Sequence, residues 1–311
     1  MKKILMLIIT VFILASCGNT ENNKVNKVEP ETKTSIQKIK VVSSIVPLAS
    51  IASYVGWDYV ESKSLVPVWV SPHWFDLKPS QMIDIKNSDL IVTVGLDQID
   101  SFFNKTIAWK NVIKATDWVK LITWFVDDDE DEWKEENKAE AWIDPHLWNS
   151  SKNAINLAEK IKDKLSEISP ENKAYFEKNV ENFKSELELA KKDFAKNTLN
   201  KKEKDFIIFH NAYSYLFQDL NINTNKEHVF RENVLASTDS SSVKELIDTI
   251  KEKQIKIAFK EPQLDASNLK KIAWENNIEI YVLDPIWEDI YKNGYINNYK
   301  NNLKSLEKTY E

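Results

Sequence analysis

Only 4 of the 311 residues are glycine, one is cysteine, one is arginine and four are histidine. A single cysteine excludes an internal disulfide framework and a zinc cage made of thiolates. Positive charge is also in deficit. The formal charge is −6, so the chain lacks the electrostatic footprint of a nucleic-acid binder. No H-E-x-x-H helix, G-x-S-x-G elbow or phosphate-binding loop occurs, which removes the common signatures of zinc proteases, serine hydrolases and nucleotide enzymes. What is present is enough for a large core: 42% of residues are hydrophobic and 29% charged, and the length suits two domains.

The glycine deficit has a counterpart. Tryptophan reaches 11 residues, and several stand where a turn would want glycine: Gly56-Trp57-Asp58, Pro67-Val68-Trp69 and Pro285-Ile286-Trp287. An indole has no advantage at a positive-φ turn, whereas glycine adopts one without steric cost. The expectation is that many of these are UGA codons read as glycine in the source cell.

The chain starts with Lys2 and Lys3, then an apolar run from Ile4 to Ala15 and Leu14-Ala15-Ser16-Cys17. A positive start, a short apolar stretch and small residues before the cut make a secretory signal rather than a transmembrane span. Leu-Ala-Ser-Cys resembles a bacterial lipobox, which implies removal of residues 1–16 and lipidation of Cys17. The polar stretch 17–36 then reads as a flexible tether, placing the folded part outside the cytoplasm on a membrane surface.

From residue 37 onward, β-rich runs alternate with helical ones. Strands are expected at 39–46, 59–68, 89–94 and 112–115, and again at 205–209, 228–230, 255–259 and 279–283. Helices fit at roughly 48–55, 80–87, 97–107, 211–219, 240–253, 266–276 and 289–309. Four strands, a helical bridge and four more strands predict an α/β fold of two (β/α)4-like lobes, 37–170 and 198–311, with parallel-type sheets. In the bridge, Ala154, Leu157, Ala158, Ile161 and Leu165 share one helix face, after caps offered by Asn149 and Ser150. Pro170 opens a second helix, 171–197, along which Phe176, Val180, Phe183, Leu187, Ala190 and Phe194 form a stripe. At 1.5 Å per residue it spans about 40 Å, enough to lie along both lobes as a rigid connector. The acidic run 127–136 fails calcium-loop spacing and reads as a solvated surface loop or a weak cation-collecting one.

Chemistry concentrates on a few positions. His73, His146, His210 and Asp284 lie in Ser71-Pro72-His73, Asp144-Pro145-His146, Phe209-His210-Asn211 and Leu283-Asp284-Pro285. At least three sit at carboxyl ends of expected strands, where open α/β sheets place ligands. Imidazole nitrogens and a carboxylate oxygen suit a borderline divalent ion such as Zn²⁺, and ligands from both lobes would place the metal in the interlobe cleft. Spacing alone leaves open a hydrogen-bonded structural role for each histidine, and that role is the expectation for His228.

Resemblance adds to this. Val66-Pro67-Val68-Trp69-Val70-Ser71-Pro72-His73, with Lys78-Pro79-Ser80-Gln81 after it, resembles the first ligand motif of the zinc/manganese solute-binding lipoproteins of metal ABC transporters, in which glycine stands where Trp69 does. Asp144-Pro145-His146-Leu147-Trp148 is similar to the second motif, whose tryptophan is usual, so Trp148 is expected to be genuine. Phe209-His210-Asn211-Ala212-Tyr213 resembles the third. Leu283-Asp284-Pro285-Ile286-Trp287, preceded by Glu261-Pro262-Gln263, resembles the fourth, again with glycine expected at Trp287. Carried over, the metal ligands are His73, His146, His210 and Asp284. Asp144 and Glu261 would stand behind ligating imidazoles, with Tyr213 and Trp148 walling the cleft.

The resemblance implies a monomeric, lipid-anchored receptor that captures Zn²⁺, with Mn²⁺ as the alternative, and hands it to the permease and ATPase subunits of an ABC importer. It implies no catalysis. Histidine at the third position favours zinc. The acidic run 127–136 departs from the His-rich loop of many zinc members and keeps manganese open. The competing readings are a metal-dependent hydrolase, which would need an open coordination position and a base, and a surface adhesin with a structural metal. A receptor for haem or chelated iron would want arginines for the ligand's carboxylates, and Arg231 is the only one.

Overall fold

The structure is a computed structural model that describes residues 37–68, 70–103, 111–124, 142–229, 240–287, 290–291 and 293–311. Cys17, the tether, Trp69, the acidic run 127–136 and the side chain of His228 lie outside what is described. No helix among the described residues is long and apolar enough to cross a membrane.

The first sheet contains β1 (Ile39–Ser43), β2 (Val60–Ser64), β3 (Leu90–Thr93) and β4 (Val112–Lys114), all parallel, in the order β2-β1-β3-β4. Parallel strands covered by helices on both faces are apolar throughout, and Leu90, Ile91 and Val92 are fully buried. A two-residue antiparallel ribbon, β5 (Thr123–Trp124) with β6 (Trp142–Ile143), follows; no periodicity in the sequence announces it. The second sheet holds β7 (Phe206–Ile208), β8 (Glu227–Val229), β9 (Ile257–Lys260) and β10 (Glu279–Val282), parallel, in the order β10-β9-β7-β8. Read from the other edge, this is the first sheet's order repeated. Both sheets therefore have their switch point between first and third strands, the place where a crevice opens at the carboxyl ends.

Helix α1 (Val46–Gly56) starts earlier, and β1 ends earlier, than the apolar run 39–46 implies. Pro47 in the first turn presets helical φ. The helices α2 (Pro79–Asn87) and α3 (Asp97–Asp100) follow β2 and β3. The bridge consists of α4 (Ser151–Ile168), capped by the Ser150 hydroxyl accepting from Asn153 N, and α5 (Lys173–Thr198), entered through a 3-10 turn at Pro170–Asn172. The stripes expected on both helices are buried: Ala154, Leu157, Ala158, Ile161 and Leu165 on α4, and Phe176, Val180, Phe183, Leu187, Ala190 and Phe194 on α5. Beyond them come α6 (Ser214–Leu220), α7 (Ser240–Lys253), α8 (Ser267–Asn276) and α9 (Gly294–Leu306). One apolar cluster runs from the first sheet through α1, α4 and α5 into the second, with α5 packed against α1 and α9. The connection between lobes is a welded seam of helices.

Backbone geometry bears on the tryptophans. Trp57 ends α1 at φ +40°, ψ −106°, outside the left-handed well. Asn221 and Asn277 end α6 and α8 inside that well, at φ/ψ of 55°/35° and 54°/51°, which asparagine tolerates. Trp148 is buried with its indole N–H donating to Pro285 O at 2.8 Å. Trp287 is also buried, yet its indole nitrogen has no hydrogen-bond partner among the described residues, an arrangement native interiors avoid. Relief of backbone strain at residue 57 is of order 1 kcal/mol. Trp57→Gly should therefore raise the thermal midpoint by a few degrees, and peptide mass spectrometry of protein from the source cell should show glycine mass there. A lower midpoint and tryptophan mass would contradict the expectation.

Candidate metal centre

Of the four segments that bear the expected ligands, three follow strands of the two parallel sheets and the fourth follows the β5–β6 ribbon. His73 lies in a 3-10 turn, Pro72–Trp74, beyond β2; His146 follows β6, His210 follows β7 and Asp284 follows β10. One ring nitrogen from each of the three histidines lies within 4.8 Å of one from each of the others. Ring centroids are 4.7 Å apart for His146 and His210, 5.7 Å for His73 and His146 and 6.2 Å for His73 and His210. Nitrogens on a zinc ion at 2.0–2.1 Å in a tetrahedron stand about 3.3 Å apart, somewhat closer than the 4.8 Å within which these three lie.

Each histidine has its Nδ1 beside an oxygen that accepts. His73 Nδ1 donates to the Gln98 carbonyl at 3.2 Å. His146 Nδ1 donates to Asp144 Oδ1 at 2.8 Å, and His210 Nδ1 donates to Glu261 Oε2 at 3.4 Å, with Oε1 3.2 Å away. A carbonyl offers no proton, so at His73 the proton belongs on Nδ1; at His146 and His210 an ionised carboxylate partner assigns the same tautomer, with the lone pair on Nε2. A neutral ring with its proton fixed by an outer acceptor is the form that binds a metal.

The supports of these acceptors are equally specific. Gln98 is on α3, where buried Asp100 accepts the Gly95 N–H at 2.5 Å. Burial pushes the Asp100 carboxyl up to about 6, against the pull of the N–H groups of Gly95 and others. Gly95 has φ +94°, and a Cβ there would meet Thr116 Oγ1 at 2.3 Å. Glu261 is buried, and that burial raises its carboxyl above the usual range, opposed by His210 and reinforced by Asp284. Tyr213, also buried, donates its hydroxyl to Glu261 Oε1 at 3.5 Å. Trp148 packs edge-on to His146 with centroids 5.3 Å apart.

Asp284 is placed differently. Its carboxylate is not part of the close group formed by the three histidines. Oδ1 accepts from Gln263 Nε2 at 2.7 Å and from Ile286 N at 3.1 Å, which commits that oxygen to the second lobe. Its backbone is clamped by α9: Asp284 N donates to Asn302 Oδ1, and its carbonyl accepts from Asn298 and Asn302. The sequence offered no sign of Gln98, which acts through its backbone, or of the Asn298 and Asn302 pair. Gln263 was visible only as part of Glu-Pro-Gln.

Two lobes of one strand order are bridged by α5, and three histidine rings converge between them. The family model named ZnuA, zinc-uptake complex component A, periplasmic, matches residues 41–309, and the chain belongs to that family. The manganese ABC transporter substrate-binding lipoprotein PsaA of Streptococcus pneumoniae is 24% identical over 296 residues, 90% of this chain and 89% of its own. The high-affinity zinc uptake system protein ZnuA of Haemophilus influenzae is 27% identical over 295 residues, 80% of this chain and 86% of its own. A crystal structure of ZnuA superposes with a TM-score of 0.72 at 23% identity, covering 88% of this chain and all of that one.

Burial, with a smaller contribution from the neighbouring His210 and His73, depresses His146 to about 4, although Asp144 opposes it. In the unfolded chain the same ring takes a proton near 6.5. The unfolded state then binds more protons between those values, so this group costs stability as pH falls from 6.5 towards 4 and nothing above 6.5. Nitrogen NMR of the metal-free protein at pH 5.5 should show His146 neutral and protonated on Nδ1; an imidazolium there would contradict the geometry.

Proposed function

We propose that this chain captures a divalent transition metal outside the cytoplasm, Zn²⁺ in preference to Mn²⁺, and delivers it to the permease and ATPase subunits of an ABC importer. The observation that carries the reading is the convergence of His73, His146 and His210, one ring nitrogen of each lying within 4.8 Å of the others, with each Nδ1 beside an acceptor. Asp284, from the loop after β10, supplies the fourth ligand. Three imidazoles and one carboxylate form a mixed nitrogen and oxygen set that suits zinc, and zinc stands above manganese in the general order of affinity for such sites.

The mechanism is binding. Four protein ligands fill a tetrahedron and leave no position for an activated water, which separates a receptor from a hydrolase. The carboxylates of Asp144, Glu261 and Asp284 hold negative charge beside the ligands, which draws a cation in and offsets its loss of hydration. The relatives named as lipoproteins support an anchor at Cys17, so that the receptor works while tethered to the membrane. The mature chain is a monomer in this reading, with residues 37–170 and 198–311 as its lobes and 171–197 as the bridge.

His73→Ala and His210→Ala should each lower zinc affinity by more than the about 10–100-fold that loss of an outer support causes, while circular dichroism stays that of the parent. Competition against a fluorescent zinc chelator measures this. Unchanged affinity in both variants would remove the site.

A further inference from the structure

The segment after His146 crosses the seam between lobes, and its hydrogen bonds show to which lobe it is tied. Asp219, on α6 of the second lobe, accepts through Oδ2 from Ser150 Oγ at 2.7 Å, from Ser151 Oγ at 3.1 Å and from Lys152 N at 3.1 Å. One carboxylate oxygen thus holds the first turn of α4 from outside, where free N–H groups and the helix dipole favour negative charge. Two further bonds act in the same direction: Asn149 Nδ2 donates to Ala212 O at 2.8 Å and Trp148 Nε1 to Pro285 O at 2.8 Å. Ala212 and Pro285 lie beside His210 and Asp284 in the chain. The loop before His146 is tied to the first lobe as well: Asp144 N donates to Ile122 O at 2.9 Å, and β6 pairs with β5. His73 Nδ1 lies beside the Gln98 carbonyl of the first lobe.

We propose that Asp219 is a positioning residue of the metal site: by holding the start of α4 it fixes the His146 loop, itself anchored to the first lobe, against the lobe that carries His210 and Asp284. The inference rests on the zinc-binding reading above and adds a residue, remote from the ligands in the chain, that sets where His146 stands across the seam.

A pair of double-mutant cycles tests it, with Zn²⁺ alone as the probe and the full mature chain as the protein. Removing an outer support typically weakens a metal site 10–100-fold. Asp219→Ala should weaken zinc binding about 10-fold in the parent and in a His73→Ala background, yet less than about 2-fold in a His146→Ala background, because its effect passes through that ring. Asp219→Asn keeps one acceptor oxygen and should restore most of the loss, and it replaces the alanine variant if that one does not fold. An equal factor in both backgrounds would make Asp219 a general structural residue and overturn the proposal, as would no effect in the parent. If His73→Ala and His146→Ala themselves leave zinc binding unchanged, the metal-site reading fails first.

Discussion

An imidazole can give a lone pair to a metal through one nitrogen only while the other keeps the proton, and here three different acceptors settle that question for three rings. A backbone carbonyl serves His73, a buried aspartate serves His146 and a buried glutamate serves His210. None of the three acceptors is next to its histidine in a regular element. The loop containing Asp144-Pro145-His146 turns back on itself so that Asp144 Oδ1 also takes the His146 N–H at 2.9 Å. Glu261 reaches His210 from the neighbouring strand β9, and Gln98 reaches His73 only because Asp100 and Gly95 pin α3 against the end of β3. The parallel sheets exist, functionally, to bring these loops to one place.

Burial makes the arrangement costly and therefore selective. His146 is held neutral well below the ordinary imidazole range, and Glu261 is pushed above the ordinary carboxylate range, both chiefly by desolvation. An uncompensated charge in such surroundings is expensive. A divalent cation bound by the Nε2 atoms would compensate the carboxylates of Asp144, Glu261 and Asp284 together, whereas a proton on any one ring would not. The helical seam of α1, α5 and α9 joins the two lobes through one apolar cluster.

Much of this was legible in the sequence, for identifiable reasons. Parallel strands buried on both faces produce short apolar runs such as Leu90 to Val92, and long helices produce stripes such as Phe176 to Phe194, so two α/β lobes and a bridging helix follow from periodicity. Ligand-bearing loops carry Pro-His and Asp-Pro pairs that stand out because histidine is scarce. What was not legible depends on tertiary contact. The ribbon of β5 and β6 is too short for a period of two to register, and the boundary between β1 and α1 is set by Pro47 against a continuous apolar run. The hold of Asp219 on α4 and of Gln263 on Asp284 joins residues far apart in the chain. That Asp284 stands outside the close histidine group, bonded to Gln263, could not be read from Leu283-Asp284-Pro285.

The central claim is that one divalent ion is held by ligands from both lobes, with zinc preferred. A competition titration of the mature protein with Zn²⁺ and Mn²⁺ tests it most directly. The account predicts one equivalent of tightly bound zinc that excess manganese does not displace. Equal binding of the two ions would contradict the preference, and binding of neither would contradict the site itself.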